Sequence, residues 1–96
     1  MPTLLTGKIL DETVANLPGW SLENGQLTRK WKFPDFSAAI KFVNQVAEIA
    51  ETANHHPDID IRYNVVITSL STHDAGGITD LDIQIARTLL QKFGSE

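Results

Sequence analysis

The feature that most constrains this chain is an amphipathic stretch that ends at a proline. Phe36, Ala39, Ile40, Val43, Val46, Ala47, Ala50 and Ala53 recur at spacings of three and four, about five turns of helix with one apolar face. Pro34-Asp35 precedes it, and Asp35 is placed to cap the first turn. The helix cannot run past Pro57, and a residue before proline resists the helical region, so His55 and His56 sit at or just beyond its C-terminus. The period then changes from about four to two. Ile59, Ile61 and Tyr63 alternate with Asp60 and Arg62, and Val65 to Thr72 is rich in β-branched residues. Two strands with a tight turn near Tyr63-Asn64 are expected, and the small residues of the helix let it lie close to a sheet. Ser and Thr on the exposed faces of these strands suit an edge open to pairing with a second subunit.

The flanking segments complete the pattern. Ile9, Leu10, Val14 and Leu17 predict a short helix over 6–17, stopped by Pro18-Gly19. Asn24-Gly25 is a strong hairpin signal, because a type I′ turn needs positive φ at both central residues. Trp20 and Leu22 alternate before it, and Leu27, Trp31 and Phe33 after it, with Arg29 the exception on the apolar face. Residues 73–77, His-Asp-Ala-Gly-Gly, read as a loop. Thr79 with Asp82 three residues on reads as the start of a last helix that runs to about Phe93 and ends at Gly94. Ile83, Ala86, Leu90 and Phe93 form one apolar face of that helix and Leu81, Ile85 and Leu89 another, a pattern that points to burial between subunits. The order is α-β-β-α-β-β-α. It predicts one α+β domain over 1–96, a four-stranded antiparallel sheet with helices packed on one face.

Composition excludes several classes. A net charge of −4 with no basic run argues against nucleic acid as a partner. The absence of cysteine rules out disulfides and thiolate metal sites. No apolar run approaches the roughly 20 residues of a membrane span, and residues 1–6 lack the basic region and apolar core of a secretory signal. A cytoplasmic location is the default expectation.

The chemistry-bearing residues cluster. All three histidines, His55, His56 and His73, fall within one stretch of 19 residues. A hairpin returns the chain to the end it left, so His73 is expected beside Pro57 and hence beside His55 and His56. Histidine is the side chain that gives and takes a proton near neutrality; three in one pocket can protonate a leaving group and remove a proton elsewhere. Asp74, Asp58, Asp82 and Glu51 are near enough in sequence to orient imidazoles or bind a polar ligand. Blander readings stand beside these. A histidine at a helix C-terminus often meets only orphan carbonyls. Position alone favours Asp82 as a capping carboxylate and Glu51 as a solvated helix residue, and Trp20 and Trp31 are core candidates. Three histidines and an aspartate could hold zinc, but adjacent histidines lack the i, i+4 arrangement that puts two imidazoles on one helix face, so no metal is expected.

Taken together, Glu51-x-x-x-His55-His56-Pro57, Tyr63, Leu70-Ser71-Thr72-His73 and Asp82 resemble the signature of the pterin-4a-carbinolamine dehydratases. Gly19-Trp20, the junction Phe33-x-Asp35-Phe36 and the helix Asp82-Ile83-x-x-Ala86 are similar as well. The resemblance implies the α+β fold already read, and oligomers, homodimers or homotetramers, with sheets continuing across an interface. It implies loss of water from 4a-hydroxytetrahydrobiopterin to give quinonoid dihydropterin, in the recycling of tetrahydrobiopterin, with neither cofactor nor metal. By the same resemblance His55, His56 and His73 are catalytic, and Glu51, Pro57, Thr72, Asp74, Ala75 and Asp82 contact or support the pterin. A functional link to an aromatic amino acid hydroxylase follows. Many animal members carry an aromatic residue soon after the proline, where this chain has Ile59 and Asp60, so the pocket wall differs. Some also bind a homeodomain transcription factor, which nothing in these residues supports. The competing class is a binding or regulatory module on the same fold, with a dedicated interface on the last helix or an edge strand.

Overall fold

Two hairpins, each closed by a two-residue turn, build the sheet. In the computed structural model, which describes residues 2–94, β1 (Ser21–Glu23) and β2 (Gln26–Lys32) flank Asn24-Gly25, and β3 (Asp58–Arg62) and β4 (Val65–Leu70) flank Tyr63-Asn64. Asn24 and Gly25 take φ of 53° and 76°, as a type I′ turn requires. Tyr63 takes φ of 54°, uncommon for a bulky side chain. Its neighbour anchors that turn: Asn64 Nδ2 donates to the Phe33 carbonyl at 2.8 Å, and the Asn64 carbonyl accepts from Phe33 N–H at 2.9 Å.

The strand order is β1-β2-β4-β3, antiparallel throughout. This corrects the expectation of a Ser/Thr-bearing edge. The strand that holds Thr68 and Ser69 is an inner one, and the free edges are β1 and β3. Its hydroxyls serve cross-strand bonds instead: Trp31 Nε1 donates to Thr68 Oγ1 at 3.0 Å, and Thr28 and Ser69 hydroxyls meet at 3.2 Å. Alternation tells which face a residue occupies but not which strands lie beside it.

The register places Leu22, Leu27 and Leu70 in one row, Arg29, Thr68 and Ile59 in the next, and Trp31, Val66 and Ile61 in the third. This face is covered by α2 (Phe36–Ala53) and α3 (Asp80–Phe93), with α1 (Gly7–Ala15) adding Leu10 and Val14 to the same core. Asp35 caps α2 as expected, its Oδ1 accepting from Ala38 N–H at 2.8 Å. The buried stripe of α2 is Ala39, Phe42, Val46 and Ala50, whereas Phe36, Ala47 and Ala53 are exposed. Alanines specify a helix's rotation weakly. Phe42 decides it, because its ring packs 4.8 Å from Trp31 and 5.0 Å from Phe93.

Arg29, the exception in the strand pattern, is buried. Its guanidinium lies 3.8 Å over the Trp31 ring and donates to the Pro18 carbonyl at 3.1 Å. Gly19 passes directly over it with φ +85°, where an added Cβ would lie 2.8 Å from the guanidinium carbon. The two apolar faces of α3 are largely covered by the chain itself, with Leu81, Leu90 and Phe93 half-buried. Ile83, Ile85, Ala86 and Leu89 are all buried within the single chain, because the N-terminal segment also closes over the core. It is tied down by Leu5 N–H to the Ile78 carbonyl at 2.9 Å and by Thr3 N–H to Asp80 Oδ1 at 2.8 Å. Among the described residues no helix is long and apolar enough to cross a membrane.

Candidate active site

The end of α2 aims the first two histidines. Asn54 adopts the left-handed conformation, φ 52° and ψ 41°, and donates its N–H to the Glu51 carbonyl, while His55 N–H donates to the Ala50 carbonyl at 3.1 Å. This paired closure ends a helix and turns the chain sharply away. Pro57 then prevents any return to helix, and β3 begins at Asp58. At the far end of the hairpin, β4 stops at Leu70 and a single 3₁₀ turn, His73–Ala75, follows. A pocket of about 310 Å³ opens between these ends, lined by Asn54, His55, His56, Ser71, Thr72, His73 and Asp74. The three histidines therefore share one cavity, as the returning hairpin predicts.

His55 is the most constrained of them. Its ring is 13% exposed, and Nε2 lies 2.6 Å from Oδ1 of Asp82, which is fully buried. The other carboxylate oxygen, Oδ2, accepts from Thr72 Oγ1 at 2.8 Å and from Thr79 N–H at 2.8 Å. The Thr72 and Thr79 hydroxyls meet at 2.7 Å. With the Thr72 proton given to Asp82, the Thr79 hydroxyl donates to Thr72. Cap and site are thus not alternatives for Asp82: one oxygen completes the capping box of α3, and the other fixes an imidazole. Facing a carboxylate, neutral His55 keeps its proton on Nε2, and Nδ1 is left with a lone pair for chemistry.

His56 pairs with Glu51 through Nε2 and Oε2, across five residues of the helix end. Both side chains are largely in solvent, 55% and 75% exposed, so the pair steers a ring more than it stabilises the fold. The ring of His73 is exposed and makes no hydrogen bond among the described residues. Asp74 lines the cavity beside it, whereas Pro57 and Ala75 do not. The turn uses much of its own backbone: Thr72 N–H donates to the Gly77 carbonyl at 2.8 Å and Ala75 N–H to the Thr72 carbonyl at 3.0 Å. Trp20 and Trp31 belong to the core, as expected. Among the described residues no three His, Asp or Glu side chains are placed to share a metal ion. Sequence reasoning took Thr79 only as a cap, held Ser71 only as part of a signature and passed over Asn54. The T-x-x-D spacing held the signal for Thr79, but a capping box does not disclose what else its acid touches.

The sequence model of the family described as pterin 4 alpha carbinolamine dehydratase matches residues 3–91. A protein of Acidobacterium capsulatum, provisionally named pterin-4-alpha-carbinolamine dehydratase, is 52% identical over 85 residues, 88% of this chain and 92% of its own. One of Chloroflexus aurantiacus with the same provisional name is 48% identical over 98% of this chain and all of its own. The crystal structure of a transcriptional coactivator/pterin dehydratase from Brucella melitensis superposes with a TM-score of 0.86 at 40% identity, covering 93% of this chain and 97% of that one. Because the matched span carries both hairpins, all three histidines and Asp82, the likeness is that of a whole fold rather than one shared motif, and the chain belongs to the pterin 4 alpha carbinolamine dehydratase family.

Proposed function

We propose that this protein is a hydro-lyase that removes water from 4a-hydroxytetrahydrobiopterin to give quinonoid dihydropterin, by histidine acid–base catalysis. The observation that carries this reading is the single pocket lined by His55, His56 and His73, one of them held by a buried carboxylate. In the reaction the C4a–O bond breaks, the oxygen takes a proton and leaves as water, and the N5 proton passes to a base. The electron pair left on N5 closes the C4a=N5 bond. No electrons are gained or lost, so an acid and a base suffice. His55, steadied by Asp82, and His73 flank the C4a–N5 bond and exchange the two roles, while His56, braced by Glu51, positions the ring. Asp74 and the N–H groups of His73 and Asp74 receive the polar pyrimidine edge. Thr72 and Asp82 act through His55, Pro57 fixes the path of the chain beneath the pocket, and Ala75 closes the turn that carries His73.

The same reading places the protein in tetrahydrobiopterin recycling, in the cytoplasm, as a homodimer or homotetramer fed by an aromatic amino acid hydroxylase. The test is dehydration of freshly made 4a-hydroxytetrahydrobiopterin by pure protein, followed by stopped-flow absorbance. His55→Ala and His73→Ala are each expected to lower kcat by about 10²-fold or more with an unchanged circular dichroism spectrum. Full activity in both variants would refute the assignment, and loss of wild-type activity on adding a chelator would revive a metal mechanism.

A further inference from the structure

We infer that the groove between the β1–β2 turn and the segment Ser71–His73 is a second subsite, which takes a short hydroxylated substituent at C6 of the pterin. This inference rests on the dehydratase reading. The groove has a volume of about 430 Å³ and is lined by Asn24, Gln26, Ser71, His73 and the glycines at 76 and 77, with Gly25 and Thr72 completing it. It shares Ser71, Thr72 and His73 with the histidine pocket, so the two cavities meet across the His73 segment.

Connectivity of the substrate decides what fills it. The elimination occurs at C4a and N5, and C6 is bonded to N5. A group that touches N5 therefore lies beside whatever C6 carries. With His73 at the C4a–N5 bond, the C6 substituent leaves past His73, and the far side of His73 is this groove. The groove itself, about 430 Å³, has room for such a short chain.

The chemistry of the wall sets the class of substituent. The Asn24 side-chain amide, Gln26 Oε1 and the Ser71 hydroxyl make no hydrogen bond among the described residues, while Gln26 Nε2 is held by Asp58 Oδ2 at 3.1 Å. Donors and acceptors of that kind suit hydroxyl groups. Beyond the glycines the surface turns apolar, at Leu4, Leu10 and Leu22, which limits the matching chain to a few atoms.

The test compares two substrates that differ only at C6: the 4a-hydroxy adducts of tetrahydrobiopterin, with its 1,2-dihydroxypropyl chain, and of 6-methyltetrahydropterin. Asn24→Gly keeps the positive φ of the turn and removes the amide, and Gln26→Ala removes the second polar group. In the double variant KM for the dihydroxypropyl substrate is expected to rise about five- to tenfold. KM for the methyl substrate and both kcat values stay at wild-type levels. Equal effects on both substrates, or none, would overturn the subsite while leaving the dehydratase reading intact. A wild-type protein inactive on both substrates would overturn that reading and this inference with it. A measurement free of mutation stands beside the kinetics: the side-chain amide NMR signals of Asn24 and Gln26 are expected to shift on titration with 7,8-dihydrobiopterin and to stay put with 6-methyl-7,8-dihydropterin. Identical responses to the two ligands would again rule the subsite out.

Discussion

Asp82→Asn separates the two jobs of one carboxylate. Asparagine has the same shape, and its single acceptor oxygen must stay where Oδ2 is now, because Thr79 N–H is a fixed backbone donor at 2.8 Å and the Thr72 hydroxyl points there as well. The new NH₂ group then replaces Oδ1 and faces His55 Nε2, 2.6 Å away in the wild type. Two donors cannot share that contact, so Nε2 becomes the acceptor and the imidazole proton moves to Nδ1. The nitrogen available to the pocket changes from base to donor. Loss of correct general base catalysis lowers kcat by about 10²- to 10⁴-fold. Stability changes far less. Hydrogen bonds to a charged acceptor contribute about 1.5–3 kcal/mol each, but here they weaken rather than vanish, and a buried charge is removed. A net loss of about 1 kcal/mol, near 5 °C in Tm, is expected. Asp82→Ala is the control: it strips the acceptor from two buried donors at about 1–3 kcal/mol apiece and lowers stability by about 3–5 kcal/mol. The assays are stopped-flow dehydration, thermal melts, and long-range ¹H–¹⁵N correlation spectra that report the His55 tautomer. An Asp82→Asn protein within threefold of wild-type kcat, or with its proton still on Nε2, would refute the argument.

Other consequences can be measured directly. Thr79→Val removes the hydroxyl that caps Leu81 N–H at 3.3 Å and meets Thr72 at 2.7 Å; it should lower stability by about 1–2 kcal/mol and kcat by about tenfold, with Thr79→Ser restoring both, in urea titrations and dehydration assays. Gly19→Ala must place a Cβ 2.8 Å from a guanidinium pinned between Pro18 and Trp31, at φ +85°, and should cost about 2 kcal/mol of stability in urea titrations without altering kcat. The two tryptophans should respond differently to phenylalanine. Trp20 Nε1 is buried with no hydrogen-bond partner among the described residues, so Trp20→Phe removes an unsatisfied donor and offsets part of its cavity cost, for a net loss of about 1 kcal/mol. Trp31→Phe also breaks the bond to buried Thr68 and should cost about 2–3 kcal/mol; equal losses in thermal melts would contradict this.

Local chemistry made most of this fold legible in the sequence. Asp35 and Thr79 cap where their side chains predict, and Asn24-Gly25 turns where positive φ is tolerated. The meeting of His73 with His55 and His56 followed from a helix stopped by Pro57 and a hairpin that doubles back. What escaped is what depends on partners far away in the chain. Strand order does, since period two assigns faces but no neighbours, and so β4 could be mistaken for an edge. The rotation of α2 does as well, because alanine-rich faces are nearly interchangeable until Phe42 finds Trp31. Arg29 broke a pattern for a reason visible only once Pro18 and Gly19 lie over it.

Asp82 is the instructive case, because its sequence context supports two readings that compete only if a carboxylate is treated as one acceptor. Its oxygens point to different elements. Oδ2 closes the first turn of α3 and binds Thr72 at the end of β4, while Oδ1 holds an imidazole delivered by the end of α2. Three elements that are distant in sequence thus meet on one fully buried side chain. The hydrogen bonds there share one carboxylate and polarise one another. The start of the last helix and the orientation of the His55 ring are consequently coupled through one side chain. A small domain gains from this arrangement, since the buried charge that positions the imidazole is stabilised by contacts the fold requires in any case.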